Sequence, residues 1–306
     1  MSLENQKGVI WLDGKFVPWQ EANVHCLTHT LHYGVGVFEG VRAYKTDKGT
    51  AIFRLQDHTD RLFRSAKIIN MKINFAKDEL NFAQQETVKQ NKLNAAYIRP
   101  MVFYGAEYLG LQTNKLSTHV MIAAWDWNSF LGDENAEKGI KVRTSSFMRN
   151  SINSTLCKAK ANGNYINSVL AFQEAIASGC DEALLLDHQG CVAEGSGENI
   201  FMVRDGVLYT PDLTVVIEGI TRDTIIQLAA HIGLSVKEKR ITRDELYIAD
   251  EAFFTGTAAE VMPIREIDDR IIGNGKCGEI TTQLQKMYID MVHGKSKQYK
   301  KWLSFI

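Results

Sequence analysis

The first alternation of apolar and polar positions runs over residues 8–19 and turns at Asp13-Gly14, a dipeptide that accepts positive φ, so it predicts an opening β-hairpin. Helical spacing follows over 57–69, where Leu62, Ala66 and Ile69 share a face, and again over 78–90. Two strand-like runs come next, at 96–104 and 119–127. The stretch 126–139 is polar, acidic and bounded by glycine, and strand periodicity resumes at 140–145. This pattern divides the chain into a smaller N-terminal domain, residues 1–126, a linker, 127–139, and a larger C-terminal domain, 140–306.

In the second half the pattern predicts a helix at 164–178, strands at 182–186 and 199–203, and an Asp205-Gly206 turn into a strand at 207–210. A helix at 222–232 has Thr221 as its N-cap and ends at Gly233. A strand at 235–240, a helix at 243–249, a strand at 251–255 and a helix at 278–292 complete the order. The strands of the first half lack the steady βαβ rhythm of a doubly wound sheet, so each domain reads as α+β.

Composition fits this picture. A chain of 306 residues exceeds what one core usually serves, which supports two domains. The 35 Lys and Arg balance 36 Asp and Glu, so no global charge favours nucleic acid or an anionic membrane, and the expected partner is a small molecule. Five scattered cysteines without CxxC spacing give no metal site and no redox pair; they fit reduced thiols in a cytoplasmic protein. The N-terminus lacks a signal-length apolar core, and no run approaches the ~20 apolar residues that span a bilayer.

Candidate chemistry centres on Lys160, in the stretch Lys158-Ala159-Lys160-Ala161-Asn162-Gly163-Asn164-Tyr165, and on Glu194 and Glu198 in the turn Glu194-Gly195-Ser196-Gly197-Glu198-Asn199. A lysine amine can form a Schiff base with a cofactor aldehyde, and a carboxylate beside a pyridine nitrogen keeps that nitrogen protonated. Small neighbours let the backbone pass close to a ligand, although spacing does not choose between Lys158 and Lys160. Gly219-Ile220-Thr221, leading into a helix, and Thr255-Gly256-Thr257-Ala258-Ala259 offer backbone amides to a phosphate. Arg61 and Arg64 lie on a helix and either reach an anion or pair with neighbouring acids. Arg99 interrupts an apolar strand, which calls for a bound anion or an internal salt bridge. Tyr33, Val37, Phe38, Trp125 and Trp127 supply aromatic and apolar surface.

The motifs HYGVGVFEGVRAY, DHTDRLFRSAK, AYIRP, KAKANGNY, AEGSGENIF, GITRD and TGTAAEV, in this order, resemble the branched-chain amino-acid aminotransferases of the class-IV, D-alanine-aminotransferase-like fold. The resemblance covers nearly the whole chain. It implies a fold-type IV enzyme with pyridoxal 5′-phosphate, Lys160 rather than Lys158 as the Schiff-base lysine, Tyr165 at the cofactor's phenolic oxygen, and Glu194 at the pyridine nitrogen with Glu198 in support. It also implies phosphate contacts from Arg61, Ile220, Thr221 and Thr257, with Ile217 against the ring. For substrate it implies Tyr97 and the amides of Thr257 and Ala258 at the α-carboxylate, with Phe38, Gly40 and Trp127 around a branched side chain. Arg99 with Tyr33 would receive the distal carboxylate of glutamate, and Leu109 and Leu111 would come from a partner subunit, hence a homodimer or higher oligomer. The implied reaction is ping-pong exchange of an amino group between L-leucine, L-isoleucine or L-valine and 2-oxoglutarate; a 4-amino-4-deoxychorismate lyase or a D-amino-acid or R-amine transaminase on the same fold are the alternatives. Two positions depart from the family pattern: Phe130 stands where a tyrosine is often found, and Asn162 where a glycine is common.

Overall fold

A computed structural model describes Leu3, residues 6–126 and residues 133–306, and the chain forms two compact units. The division does not follow one cut in the chain: residues 1–127 are joined in the first unit by residues 159–163 and 292–306, and the second unit takes 128–158 and 164–291. Two segments of the expected C-terminal domain therefore belong to the first unit.

In the first unit, β1 (Val9–Leu12) and β2 (Lys15–Pro18) form the expected hairpin, with Asp13 and Gly14 at φ 46° and 88°. There follow α1 (His29–Tyr33), β3 (Gly36–Phe38), β4 (Val41–Thr46), β5 (Gly49–Phe53), α2 (Leu55–Ile68), α3 (Lys77–Gln90), β6 (Ala96–Tyr104) and β7 (Thr118–Trp125). The sheet runs β5-β4-β6-β7-β1-β2, with β3 also on β6 and the terminal strand Leu303–Phe305 on β5. Periodicity did not reveal β3, β4 and β5, because β3 is buried throughout and β4 and β5 bury consecutive residues, so apolar and polar positions do not alternate. Leu62 and Ala66 of α2 pack with Val37, Val41, Ile98 and the alanines Ala159 and Ala161 in one core. His58, Arg61 and Ser65 lie on that same buried face of α2.

The second unit contains α4 (Asp133–Lys138), β8 (Ile140–Thr144), α5 (Tyr165–Ala177), β9 (Glu182–Leu186), β10 (Val192–Gly195), β11 (Asn199–Arg204), β12 (Val207–Thr210), α6 (Ile220–His231), β13 (Val236–Glu238), α7 (Arg243–Tyr247), β14 (Glu251–Gly256), β15 (Glu260–Ile267), β16 (Arg270–Ile271) and α8 (Glu279–Val292). Its pairings run β10-β9-β8-β15-β14-β11, and β10 pairs with β11 as well, so six strands close into a ring. A single register pair, Glu194 with Asn199, makes the closure. The helix expected at 222–232 begins earlier, at Ile220, which places Thr221 inside the first turn and Gly219 at the N-cap. No helix among the described residues is long and apolar enough to cross a membrane.

Candidate active site

Within the first unit, the backbone around Lys160 is held like a strand. Ala161 bridges Val37, the Phe38 N–H donates to the Lys160 carbonyl at 3.1 Å, and the Lys160 N–H donates to Ser65 Oγ at 3.0 Å. Side chains alternate along such a segment, so the buried Ala159 and Ala161 leave the Lys160 side chain on the other side. Its ammonium lies 5.2 Å from the centre of the Phe38 ring. Lys158 is engaged elsewhere, donating to the Leu213 carbonyl and lying 3.7 Å from Glu218.

The guanidinium of Arg99 lies 4.6 Å from the centre of the same Phe38 ring and 5.4 Å from that of Tyr97. It donates to the Tyr97 hydroxyl at 3.2 Å, while its buried Nε has no hydrogen-bond partner among the described residues. Lys160 and Arg99 therefore share one aromatic ring, an arrangement favourable to each cation. Tyr97 reaches this position because residue 40 is glycine: a Cβ there would stand 2.0 Å from the Tyr97 hydroxyl oxygen.

Arg61 is buried and clamped by a fully buried carboxylate. Its Nε donates to Glu39 Oε1 at 2.6 Å and a terminal nitrogen donates to Oε2 at 2.9 Å, while His58 Nδ1 lies 2.8 Å from Oε2. Burial by itself would raise the Glu39 carboxyl, but the Arg61 charge and the bonds from His58 and Arg61 outweigh it and hold Glu39 far below the ordinary carboxylate range. His58 is shifted down, chiefly by burial, which Glu39 only partly offsets. Tyr33 is exposed and stacks on His29 at 4.5 Å, and Leu109 and Leu111 are exposed. Trp127 and Phe130 lie outside the described residues.

Within the second unit, Glu194 is buried where the strand ring closes. Arg149 Nε donates to its Oε1; the Asn199 amide and the Ile217 N–H each donate to Oε2 at 3.2 Å. Asn199 also donates to the Ile217 carbonyl at 3.1 Å. Residue 219 must be glycine for this, since a Cβ there would meet Asn199 Oδ1 at 1.9 Å. Glu198, also buried, accepts the Gly197 N–H at 3.0 Å. Tyr165 opens α5, and Ile220 and Thr221 open α6, whose dipole favours an anion at this end. Thr257 and Ala258 form the turn between β14 and β15.

Glu39, His58 and Ser65 in the first unit, and Arg149 and Asn199 in the second, hold the candidate residues of their own unit without having been singled out in the sequence. One signal was available: Glu39 stands in Val37-Phe38-Glu39-Gly40-Val41, an acid inside an apolar run, the same anomaly that marked Arg99. Nothing comparable marks Arg149, which sits in a polar loop.

The family model for amino-transferase class IV matches residues 36–267. The chain belongs to the class IV aminotransferases. A branched-chain-amino-acid aminotransferase of Pseudomonas aeruginosa is 60% identical over 306 residues, covering 100% of both chains. Among solved structures, a T.th. branched-chain amino acid aminotransferase with pyridoxamine 5′-phosphate superposes with a TM-score of 0.96 at 50% identity, over 98% of this chain and 99% of that one. The same T.th. enzyme complexed with N-(5′-phosphopyridoxyl)-L-glutamate gives 0.95 at 48% identity, over 98% and 99%. As expected of this class IV chain, helices and strands are mixed in both units.

Proposed function

We propose that this class IV aminotransferase uses pyridoxal 5′-phosphate to exchange the amino group of L-leucine, L-isoleucine or L-valine with 2-oxoglutarate, giving the branched-chain 2-oxo acid and L-glutamate. The observation that carries the reading is the Phe38 ring with the Lys160 amine at 5.2 Å and the Arg99 guanidinium at 4.6 Å. A reactive amine thus lies beside an aromatic surface that also carries a guanidinium over its rings. Such a surface accepts an aliphatic side chain on the rings of Phe38 and Tyr97, and a second carboxylate on Arg99, whose buried Nε lacks a partner among the described residues. A transaminase that alternates between leucine and glutamate needs both.

The residues present fit the cofactor. Lys160 offers the amine, the buried Arg61 a fixed cation for a phosphate, the start of α6 the positive end of its dipole, and Glu194 a buried carboxylate for a ring nitrogen. When bound, pyridoxal phosphate supplies the aldehyde that carries the amino group and the ring that accepts the electron pair released at the substrate α-carbon. In our assignment Lys160 Nζ takes and returns the α-carbon proton, Glu194 holds a proton at the ring nitrogen with Glu198 in support, and Tyr165 donates at the phenolic oxygen. Arg61, Ile220, Thr221 and Thr257 hold the phosphate, and Ile217 lies against the ring. Tyr97 and the amides of Thr257 and Ala258 orient the α-carboxylate; Phe38, Gly40, Trp127 and Phe130 shape the side-chain space. Tyr33 assists Arg99, and the exposed Leu109 and Leu111 close the site of a partner subunit in a homodimer.

The test is the visible absorption of the holoenzyme, wild type and Lys160→Ala, on adding L-leucine and then 2-oxoglutarate. Loss of the band with L-leucine and its return with 2-oxoglutarate, in wild type only, supports the assignment. A band indifferent to L-leucine but consumed by D-leucine, or by no amino acid, would replace it with a D-specific transaminase or a lyase.

A further inference from the structure

Arg149 lies outside every motif read from the sequence, yet it forms a buried ion pair with Glu194. Its backbone N–H donates to the Leu186 carbonyl at 2.7 Å, which fastens the loop after β8 to β9. Its side chain, 8% exposed, sends Nε to Glu194 Oε1 and a terminal nitrogen to Asn150 Oδ1 at 2.7 Å. Among the described residues the other donors to Glu194, Asn199 and Ile217, both go to Oε2. A carboxylate oxygen has two lone pairs, so Oε1 can take a second donor while Arg149 keeps the first.

Burial alone would weaken Arg149's hold on its proton. The Glu194 charge and hydrogen bond more than offset this, with smaller contributions from Cys157 and Tyr165. A charged guanidinium thus lies within electrostatic reach of both Glu194 and Tyr165, the two side chains assigned above to the cofactor ring.

We propose that Arg149 is a positioning residue for the transamination: by holding Glu194 Oε1 it fixes the carboxylate and limits how strongly Glu194 draws a proton from the cofactor's ring nitrogen. The inference rests on Glu194 as the ring-nitrogen partner. With Arg149 present, the carboxylate's charge is shared between the guanidinium and the ring, so the proton stays on the nitrogen and the ring remains a good electron acceptor. Without it, the carboxylate keeps its full basicity in a buried place and competes for that proton.

The experiment compares wild type, Arg149→Lys, Arg149→Met, Glu194→Gln and the Arg149→Met/Glu194→Gln double variant, each as holoenzyme. The readouts are visible absorption, pyridoxal phosphate Kd by equilibrium dialysis, melting temperature, and kcat and KM for L-leucine. Arg149→Met is expected to shift the absorption band, weaken pyridoxal phosphate binding, and lower kcat by roughly 10- to 100-fold, the size known for outer partners of metal ligands. KM should stay within about 3-fold, since a loss made only beyond the ground state appears in kcat. Arg149→Lys should restore most of the wild-type band. The double variant should match Glu194→Gln in band and kcat, and melt above Arg149→Met, because it leaves no carboxylate buried without a counter-charge. A wild-type band and Kd in Arg149→Met, or a double variant whose losses multiply, would overturn the proposal. If Arg149→Met does not fold, Arg149→Gln, which drops the charge and keeps an N–H donor, takes its place, and a wild-type band and pyridoxal phosphate Kd in Arg149→Gln overturn the proposal equally. Glu194→Gln with wild-type band and kcat would instead overturn the assignment of Glu194 itself, and this inference with it; an impaired Glu194→Gln beside an unimpaired Arg149→Met overturns this inference alone.

Discussion

Glu39→Gln should damage both the stability of the first unit and its hold on the cofactor phosphate. The Glu39 side chain is 0% exposed and that of Arg61 7%, so neither charge has water to fall back on. Removing one partner of such a pair costs about 3–5 kcal/mol; glutamine keeps one acceptor oxygen and the shape, which places the variant near the lower end, about 3 kcal/mol. At about 2–4 °C per kcal/mol for chains of this size, the melting temperature should fall by roughly 6–12 °C. Arg61, no longer clamped at 2.6 and 2.9 Å, loses the pose assigned to it at the phosphate. Loss of one charge-assisted hydrogen bond, about 1.5–3 kcal/mol, corresponds to a roughly 10- to 100-fold rise in pyridoxal phosphate Kd. Pyridoxal without the phosphate should bind both proteins alike, which isolates the arginine. The pH dependence gives an independent check. The folded Glu39 is held below the unfolded carboxyl, so its contribution is complete above a pH of about 4.3 and is lost as pH falls through the folded value. The stability gap between wild type and Glu39→Gln should therefore be constant above a pH of about 5, begin to narrow as pH falls below about 4.3, where the unfolded carboxyl takes up its proton, and still be narrowing at the acid end of the accessible range. Differential scanning calorimetry across that range measures it. A Glu39→Gln protein that melts within about 2 °C of wild type and binds pyridoxal phosphate as tightly would refute the clamp.

Four further outcomes follow from the geometry. His58 is neutral in the fold because burial lowers it, so its contribution is present above a pH of about 6.5 and is lost as pH falls through the folded value; His58→Gln should remove that part of the acid sensitivity seen by calorimetry. Arg99→Met should raise KM for 2-oxoglutarate roughly 10- to 100-fold while single-turnover reaction with L-leucine stays within about 3-fold, by the value of a charge-assisted bond. Equal losses in both half-reactions would contradict it. Gly40→Ala should displace Tyr97, whose hydroxyl stands 2.0 Å from the new Cβ, costing about 1–3 kcal/mol of overpacking and raising KM for amino and oxo acids together. Gly219→Ala forces Asn199 Oδ1 from 1.9 Å and so breaks its bond to Glu194; a changed holoenzyme absorption band is expected, and an unchanged one would show that Asn199 does not hold the carboxylate.

The sequence by itself determined the elements marked by a turn residue or by an unbroken strand-like run. The Asp13-Gly14 hairpin and the strand Val207–Thr210 after Asp205-Gly206 lie where turn chemistry and alternation place them, whereas β6 and Glu182–Leu186 bury residues in succession and showed only as apolar runs. Strands β3 to β5 escaped, since strands that bury residues in succession carry no two-residue signal. Lys160, Glu194 and Arg99 were legible as chemically odd residues in odd places. Their surroundings were not, because a buried ion pair joins residues far apart in the chain: Glu39 to Arg61, and Arg149 to Glu194. Only the tertiary structure settled which side of the Lys158-Ala159-Lys160 stretch faces Phe38. The buried alanines Ala159 and Ala161 fix that phase, and Lys158 turns instead to Leu213 and Glu218. Likewise the turn from Glu194 to Asn199 reads in one dimension as an ordinary loop, and becomes the closure of a six-strand ring only when β11 returns to β10 and packs Asn199 against the carboxylate. Local sequence sets which residues can do the chemistry; the pairing of distant segments sets which charges are desolvated together, and so which of them act.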